Sequence, residues 1–258
     1  MRVGRTSLRR LARVEFISAA CAPLGVLAFW GGLWMAARRY PSEYDWRYMT
    51  ISSLLYVDRN PDGFQWAWGG LMLCALGGLC WTAVLVRDWK EKGAGRRPIG
   101  ISALGLGYTC MVCALLPAHL LWIPKGHEML ALSAFLGLCI GVVSLTFRAA
   151  DGNIRLRTRS LPGGSRLYAG LLAGGALSPI LLAALASAYV SYALPELPWV
   201  GMQWRARGVP AFLSFAFWEW ITCVVFSAYT VSLCLSRGNR RTPRRHARRI
   251  SLAQTRSG

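Results

Sequence analysis

The sequence predicts an all-α polytopic membrane protein, a bundle of six transmembrane helices with both chain ends in the cytosol. Three observations predict it: an apolar composition, six long apolar runs, and basic residues that alternate from loop to loop. Of 258 residues, 54% are hydrophobic and only 16% are charged, where a soluble domain carries about 25% charged residues. The six runs cover about 15–37, 65–86, 99–122, 127–147, 167–191 and 210–235. Roughly 20 apolar residues are needed to cross ~30 Å of hydrocarbon. Backbone amides in lipid must be satisfied within their own segment, so such runs become helices. They lack the alternation of a membrane β-barrel strand.

Orientation follows from Lys and Arg in the loops. The N-terminal segment, the loops after the second and fourth runs, and the C-terminal tail together hold 23 basic residues. The other three loops hold 7. The bias alternates at every loop, which places both ends in the cytosol and supports the count of six. Trp30, Trp34, Trp46, Trp66, Trp68, Trp122, Trp199 and Trp204 fall on the opposite side, where an aromatic belt is expected, while Trp81 and Trp89 mark the cytosolic interface.

Residues 1–14 read as a basic cytosolic N-terminus and 15–235 as the transmembrane domain. The first run follows Arg2, Arg5, Arg9, Arg10 and Arg13. It is too long for a signal-peptide core and reads as an uncleaved span. The loop at about 38–64 is the longest on the outer side. Its aromatic first part is expected at the interface, and Asn60-Pro61-Asp62-Gly63 is a turn signal. The second run carries the pairs Gly69-Gly70 and Gly77-Gly78. Ser133, Gly137 and Gly141 place small residues on one face of the fourth run, a pattern for close helix approach and a candidate homo-oligomer contact through Gly137 and Gly141. Gly174-Gly175 and Pro179 mark a kink in the fifth. All eight cysteines fall inside the runs, so they read as buried filler rather than a disulfide framework. Residues 236–258 form a basic tail that reads as disordered. Its Arg240, Arg241, Arg244, Arg245, Arg248 and Arg249 suit anionic lipid heads. No aromatic platform accompanies them, so nucleic acid is not the expected partner.

One formal charge lies well inside a run: Glu219. Counting from Pro210 at ~1.5 Å per residue puts it ~13 Å below the outer boundary. A carboxylate there is costly unless paired, hydrated or protonated, so it is expected to face the bundle interior. Its candidate neighbours on the same side are Ser52, Ser53, Asp58, His119, His127 and Glu128, with Thr50 beside them. They form a candidate polar site. No zinc-hydrolase spacing, nucleophile elbow, phosphate-binding loop or dinucleotide fingerprint occurs in the sequence. No cofactor or metal is expected.

Four features in order resemble a superfamily of six-span proteins. That superfamily includes the damage-regulated autophagy modulators, the fibroblast-growth-factor-receptor-activating proteins and related bacterial proteins of unknown function. The features are Thr50-Ile-Ser-Ser53 followed by Asn60-Pro61, the Gly100-Ile-Ser-Ala-Leu-Gly105 segment, His127 with Phe135, and Glu219-Trp220 with Thr230. The resemblance spans roughly residues 15–235. Ser53 stands where the superfamily has an Asp. The resemblance implies a six-helix membrane protein linked to lipid handling, lipid distribution or membrane trafficking.

The favoured functional reading is an accessory membrane protein that binds, distributes or senses lipid, without enzyme activity. One alternative is an intramembrane enzyme acting on lipid through His127 and Glu219. Another is a small-solute or proton-coupled transporter. Arg outnumbers Lys by 27 to 3, a bias of G+C-rich genomes. It favours a bacterial cytoplasmic membrane over a eukaryotic endomembrane.

Overall fold

A computed structural model describes residues 5–91, 99–116, 126–150, 165–196 and 202–238. Among them, all regular structure is helical. The elements are α1 (Arg5–Arg38), α2 (Ile51–Leu55), α3 (Phe64–Glu91), α4 (Ile99–Ala114), α5 (Gly126–Ala150), α6 (Ser165–Ala193), α7 (Gln203–Ala206), a 3-10 turn (Ala211–Leu213) and α8 (Phe215–Gly238). Five helices contain stretches long and apolar enough to cross a membrane: Ala20–Arg38, Phe64–Arg87, Met129–Thr146, Ala173–Ala193 and Phe215–Cys234. α4 is apolar but shorter. The chain is thus a bundle of membrane-type helices.

The long helices and α4 close into a ring in the order α1, α3, α4, α5, α6, α8 and back to α1. Two of the contacts are seams of small residues. A methyl group on Gly70 would meet the Ala28 carbonyl oxygen at 2.6 Å and Gly32 Cα at 3.1 Å. One on Gly77 would meet the Cys21 carbonyl oxygen at 2.5 Å. Gly25 and Gly32 of α1 therefore face Gly70, Cys74 and Gly77 of α3, with glycines seven residues apart on each helix. The α4–α5 seam repeats the device. A methyl on Gly137 would lie 2.8 Å from Gly107 Cα, and Gly100 backs onto Gly141 and Ser144. Such contacts let helix backbones approach closely where lipid gives no hydrophobic drive between helices. Gly137 and Gly141 are filled by α4 of the same chain, so the expected surface for a second copy is not free. Ser133, by contrast, is exposed.

Large side chains point the other way. Leu24, Leu27, Leu132, Leu136, Leu181 and Leu185 are exposed, Leu132 at 71%. Large apolar side chains exposed on α1, α5 and α6 suit an apolar phase around the bundle. Inside the ring, Leu104, Tyr108, Leu138, Val142 and Phe226 form one core cluster. Trp81, expected at an interface, belongs to that core and is only 3% exposed. Aromatic identity alone did not distinguish a belt residue from a packed one.

Two boundaries differ from the sequence reading. The third run was expected to continue to about 122, but α4 ends at Ala114 with a turn at Leu115–Leu116. The sixth was expected to start at Pro210. Instead Pro210 opens the 3-10 turn, Ser214 is extended, and α8 starts at Phe215. Proline presets the turn and lacks the amide that a continuing helix would need. Glu219 consequently lies only ~6 Å along α8 from its first residue.

Candidate lipid crevice

The loop at about 38–64 does not lie flat on the bundle. Residues 51–55 coil into α2, which tucks Ile51, Ser53 and Leu54 into the end of the ring. Asn60 holds the return. It is fully buried, and its side-chain amide donates to the Ala36 carbonyl (3.2 Å) and the Leu54 carbonyl (3.3 Å). The expected turn at 60–63 is present, with Gly63 and Phe64 amides donating to the Asn60 carbonyl. Gly63 packs against the Asn60 side chain and the Ala36 carbonyl, and this leaves no room for a Cβ.

A set of long-range hydrogen bonds ties this loop to α8. The Ile51 amide donates to Glu219 Oε2 at 3.1 Å. The Trp220 indole donates to the Met49 carbonyl at 3.0 Å. The Tyr44 hydroxyl lies 3.1 Å from the same carbonyl and 3.0 Å from that of Thr50. Burial first, and then the negative charge of Glu219, pushes the Tyr44 phenol above its ordinary range, so it stays a neutral donor. Farther out, the Tyr48 hydroxyl donates to the Val209 carbonyl at 2.8 Å. Asp45 accepts from Arg47 and also faces Arg205, while Arg205 reaches Glu43 at 3.0 Å. The hydrogen bond from Arg47 outweighs the effect of burial and holds the Asp45 carboxyl below the usual carboxylate range.

Below α2 the ring is not filled. A cavity of about 130 Å³ runs between α1, α3, α4, α5 and α8. α2 contributes Ile51, Ser52 and Leu55 to its loop end. Its wall is mostly Leu, Phe, Met, Val and Ala, and among the described residues Glu219 is its one carboxyl group. Ser227, Thr230 and Tyr108 add hydroxyls deeper down. The Ser227 hydroxyl accepts from the Trp30 indole at 3.0 Å. Along α8 the wall extends from Glu219 to Thr230, along α5 from Ala131 to Val142, and along α4 from Leu104 to Leu115. Each stretch covers ~16 Å of helix.

The candidate polar site is therefore brought together in part. Glu219 and Ser52 share the crevice. Ser53 is buried beside it and bonds Thr50 (3.1 Å), whose hydroxyl also bonds Ser52 at 2.8 Å. Asp58 is exposed on the loop and does not line the crevice. His119 and the tail arginines Arg240, Arg241, Arg244, Arg245, Arg248 and Arg249 lie outside the described residues, as do the side chains of His127 and Glu128 at the start of α5. Tyr44, Tyr108, Ser227 and Cys223 escaped the sequence reading. Tyr44 and Tyr108 look like aromatic filler, and a Ser or Cys in an apolar run is too common to stand out. Cys223 lines the crevice one helical turn below Glu219, and the eight cysteines are free thiols. Among the described residues, no three His, Cys, Asp or Glu side chains gather to hold a metal ion.

No protein-family model, no curated protein and no solved structure matches the chain.

Proposed function

We propose that the chain is a six-span membrane protein, both ends cytosolic, that binds lipid in the crevice between its helices. A single observation carries the reading: an apolar shaft inside the bundle, closed at one end by a loop and bearing one carboxyl group there. Ligand sites are mainly apolar concavities with a few placed polar groups. An intramembrane acid is a functional candidate by default. The ~16 Å depth matches about half of a ~30 Å hydrocarbon core, the reach of lipid chains in one leaflet.

The charge split of 23 to 7 among the loops supports the topology. It puts the loop end, and so Glu219, toward the outer leaflet. Kinship with the lipid-handling six-span superfamily is part of the proposal. The resembling residues Thr50–Ser53, Asn60 and Glu219-Trp220 are those that form the loop end and its ties to α8. The arginine bias supports a bacterial cytoplasmic membrane as the setting.

Native mass spectrometry of the purified chain tests the reading. Under detergent that strips surrounding lipid, the wild type is expected to retain a stoichiometric lipid. Ala131→Phe and Met111→Trp, which fill the shaft from α5 and α4, are expected to lose it while melting as folded proteins. A wild type without retained lipid, or folded filled variants that keep it, overturns the reading.

A further inference from the structure

We propose that the lipid in the crevice carries an ammonium head that pairs with Glu219, a deepening that rests on the lipid-binding reading above. The charge pattern of the site carries this. Among the described residues, those lining the crevice include one carboxyl and no Lys, Arg or His. The other titratable groups around Glu219 are Tyr44, Cys74, Tyr108 and Cys223, all neutral acids in their ordinary state. Among the described residues, Glu219 accepts one hydrogen bond, from the Ile51 amide on Oε2. A carboxylate in such surroundings is costly unless it is paired, hydrated or protonated. No described lining residue supplies a cation, so a bound amine is the group that would let Glu219 ionise there, and an amine–carboxylate contact is charge-assisted and strong.

The same pattern selects against other heads. A carboxylate or phosphate at the loop end would meet Glu219 with no lining cation to offset it. The basic groups nearest the loop end are otherwise engaged. Arg38 lies over Trp34, Arg39 over Trp66 and Arg59 over Tyr56, while Arg47 is paired with Asp45. Chains then occupy the shaft between α4, α5 and α8, where the described wall offers apolar groups, a thiol and a few hydroxyls.

Three probes of equal chain length separate the possibilities: dodecylamine, dodecanol and dodecanoate. Each is added to the full chain in phosphatidylcholine nanodiscs, and unfolding is followed by tryptophan fluorescence. A ligand that binds the folded state raises Tm in proportion to ln(1 + [L]/Kd). Dodecylamine is expected to raise Tm, dodecanol less, and dodecanoate not at all. Glu219→Gln keeps an acceptor for the Ile51 amide but loses the charge. It is expected to weaken dodecylamine by about tenfold or more while leaving dodecanol unchanged. If Glu219 only locks α2 to α8, the variant lowers the ligand-free Tm and keeps the amine shift, which overturns the proposal. Equal stabilisation by dodecanoate overturns it too, as does the absence of any amine shift. Native mass spectrometry separates the two failures. A retained lipid without an amine leaves the lipid-binding reading standing, and no retained lipid removes both.

Discussion

Along α1–α3 and α4–α5, backbone meets backbone with nothing between; at the loop end, α8 is held by side chains that reach across open space. The seams are made of glycine and are solid. α8 touches α1 through Trp30–Ser227 and touches the loop through Glu219–Ile51 and Trp220–Met49. The difference explains where the crevice lies. Glycine seams bring two helix pairs together with no gap, so unfilled volume collects on the α8 side, where wide aromatic side chains act as spacers. Polar groups accumulate there for the same reason. They bridge distances that a seam does not leave, and they must find partners because water is scarce.

The most damaging change is expected in a seam. Gly70→Ala and Gly137→Ala each drive a methyl group into backbone atoms that cannot rotate away. Overpacking of this kind costs about 1–3 kcal/mol and occasionally more. The neighbouring Gly69 has nothing within 4 Å of the same methyl. Gly69→Ala is therefore expected to leave Tm unchanged or raise it slightly, since Ala is better than Gly in a helix by roughly 0.5–1 kcal/mol. Thermal melting of the three variants side by side checks this. Equal effects at positions 69 and 70 would show that the seam is not close-packed.

This contrast also marks what the sequence could disclose. Apolar length identified the helices, because a bilayer imposes its thickness on composition. Glu219 stood out because a formal charge in an apolar run is rare. The glycine pairs were visible, but their direction was not. Gly137 and Gly141 suggested a second copy, and only the placement of α4 shows that they are used within the chain. The start of α8 was misplaced because Pro210 and Ser214 look apolar enough to belong to a span. That error moved Glu219 deeper than it is. The crevice itself was invisible, since a void leaves no residue type behind. So were the loop's ties to α8, in which backbone carbonyls such as that of Met49 do the accepting. The charge rule speaks to orientation, which helix packing alone does not address.

At the loop end the largest effect is expected at Asn60. Its amide serves the Ala36 carbonyl at the end of α1 and the Leu54 carbonyl of α2. Asn60→Ala leaves the Leu54 carbonyl without that donor and opens a gap beside Gly63, while the Ala36 carbonyl keeps the Arg39 amide at 3.1 Å. Each unsatisfied buried group costs about 1–3 kcal/mol. The loop between α1 and α3 is expected to become protease-sensitive at a temperature where the seams still hold. Limited proteolysis with mass mapping reads this directly. Cleavage spread evenly over all loops would instead mean that the loop end and the seams unfold as one unit.

Charge offers the smallest and most selective lever, because the close glycine contacts of the seams involve no carboxyl or basic group. Asp45 accepts from Arg47 at 2.8 Å through each of its oxygens, and its carboxyl is held below its ordinary range chiefly by that hydrogen bond. A depressed carboxylate contributes stability that is fully present above the unfolded pKa of about 3.9. That stability is lost as pH falls through the lower folded value. The loop's attachment to the α7 segment should therefore weaken only below about pH 4. Asp45→Asn should remove that acid-dependent limb. Arg47 and Arg205 are solvent-exposed, so salt should shrink the effect, as it does for exposed ion pairs. Protease resistance of the loop, measured between neutral and strongly acid pH at two salt concentrations, checks all three statements. If wild type and Asp45→Asn give superimposable acid profiles, the loop is held by Tyr44, Tyr48, Asn60, Trp220 and the Ile51–Glu219 bond without help from Asp45. The contrast between seam and loop end would then be one of apolar contact against neutral hydrogen bonds, with charge confined to Glu219.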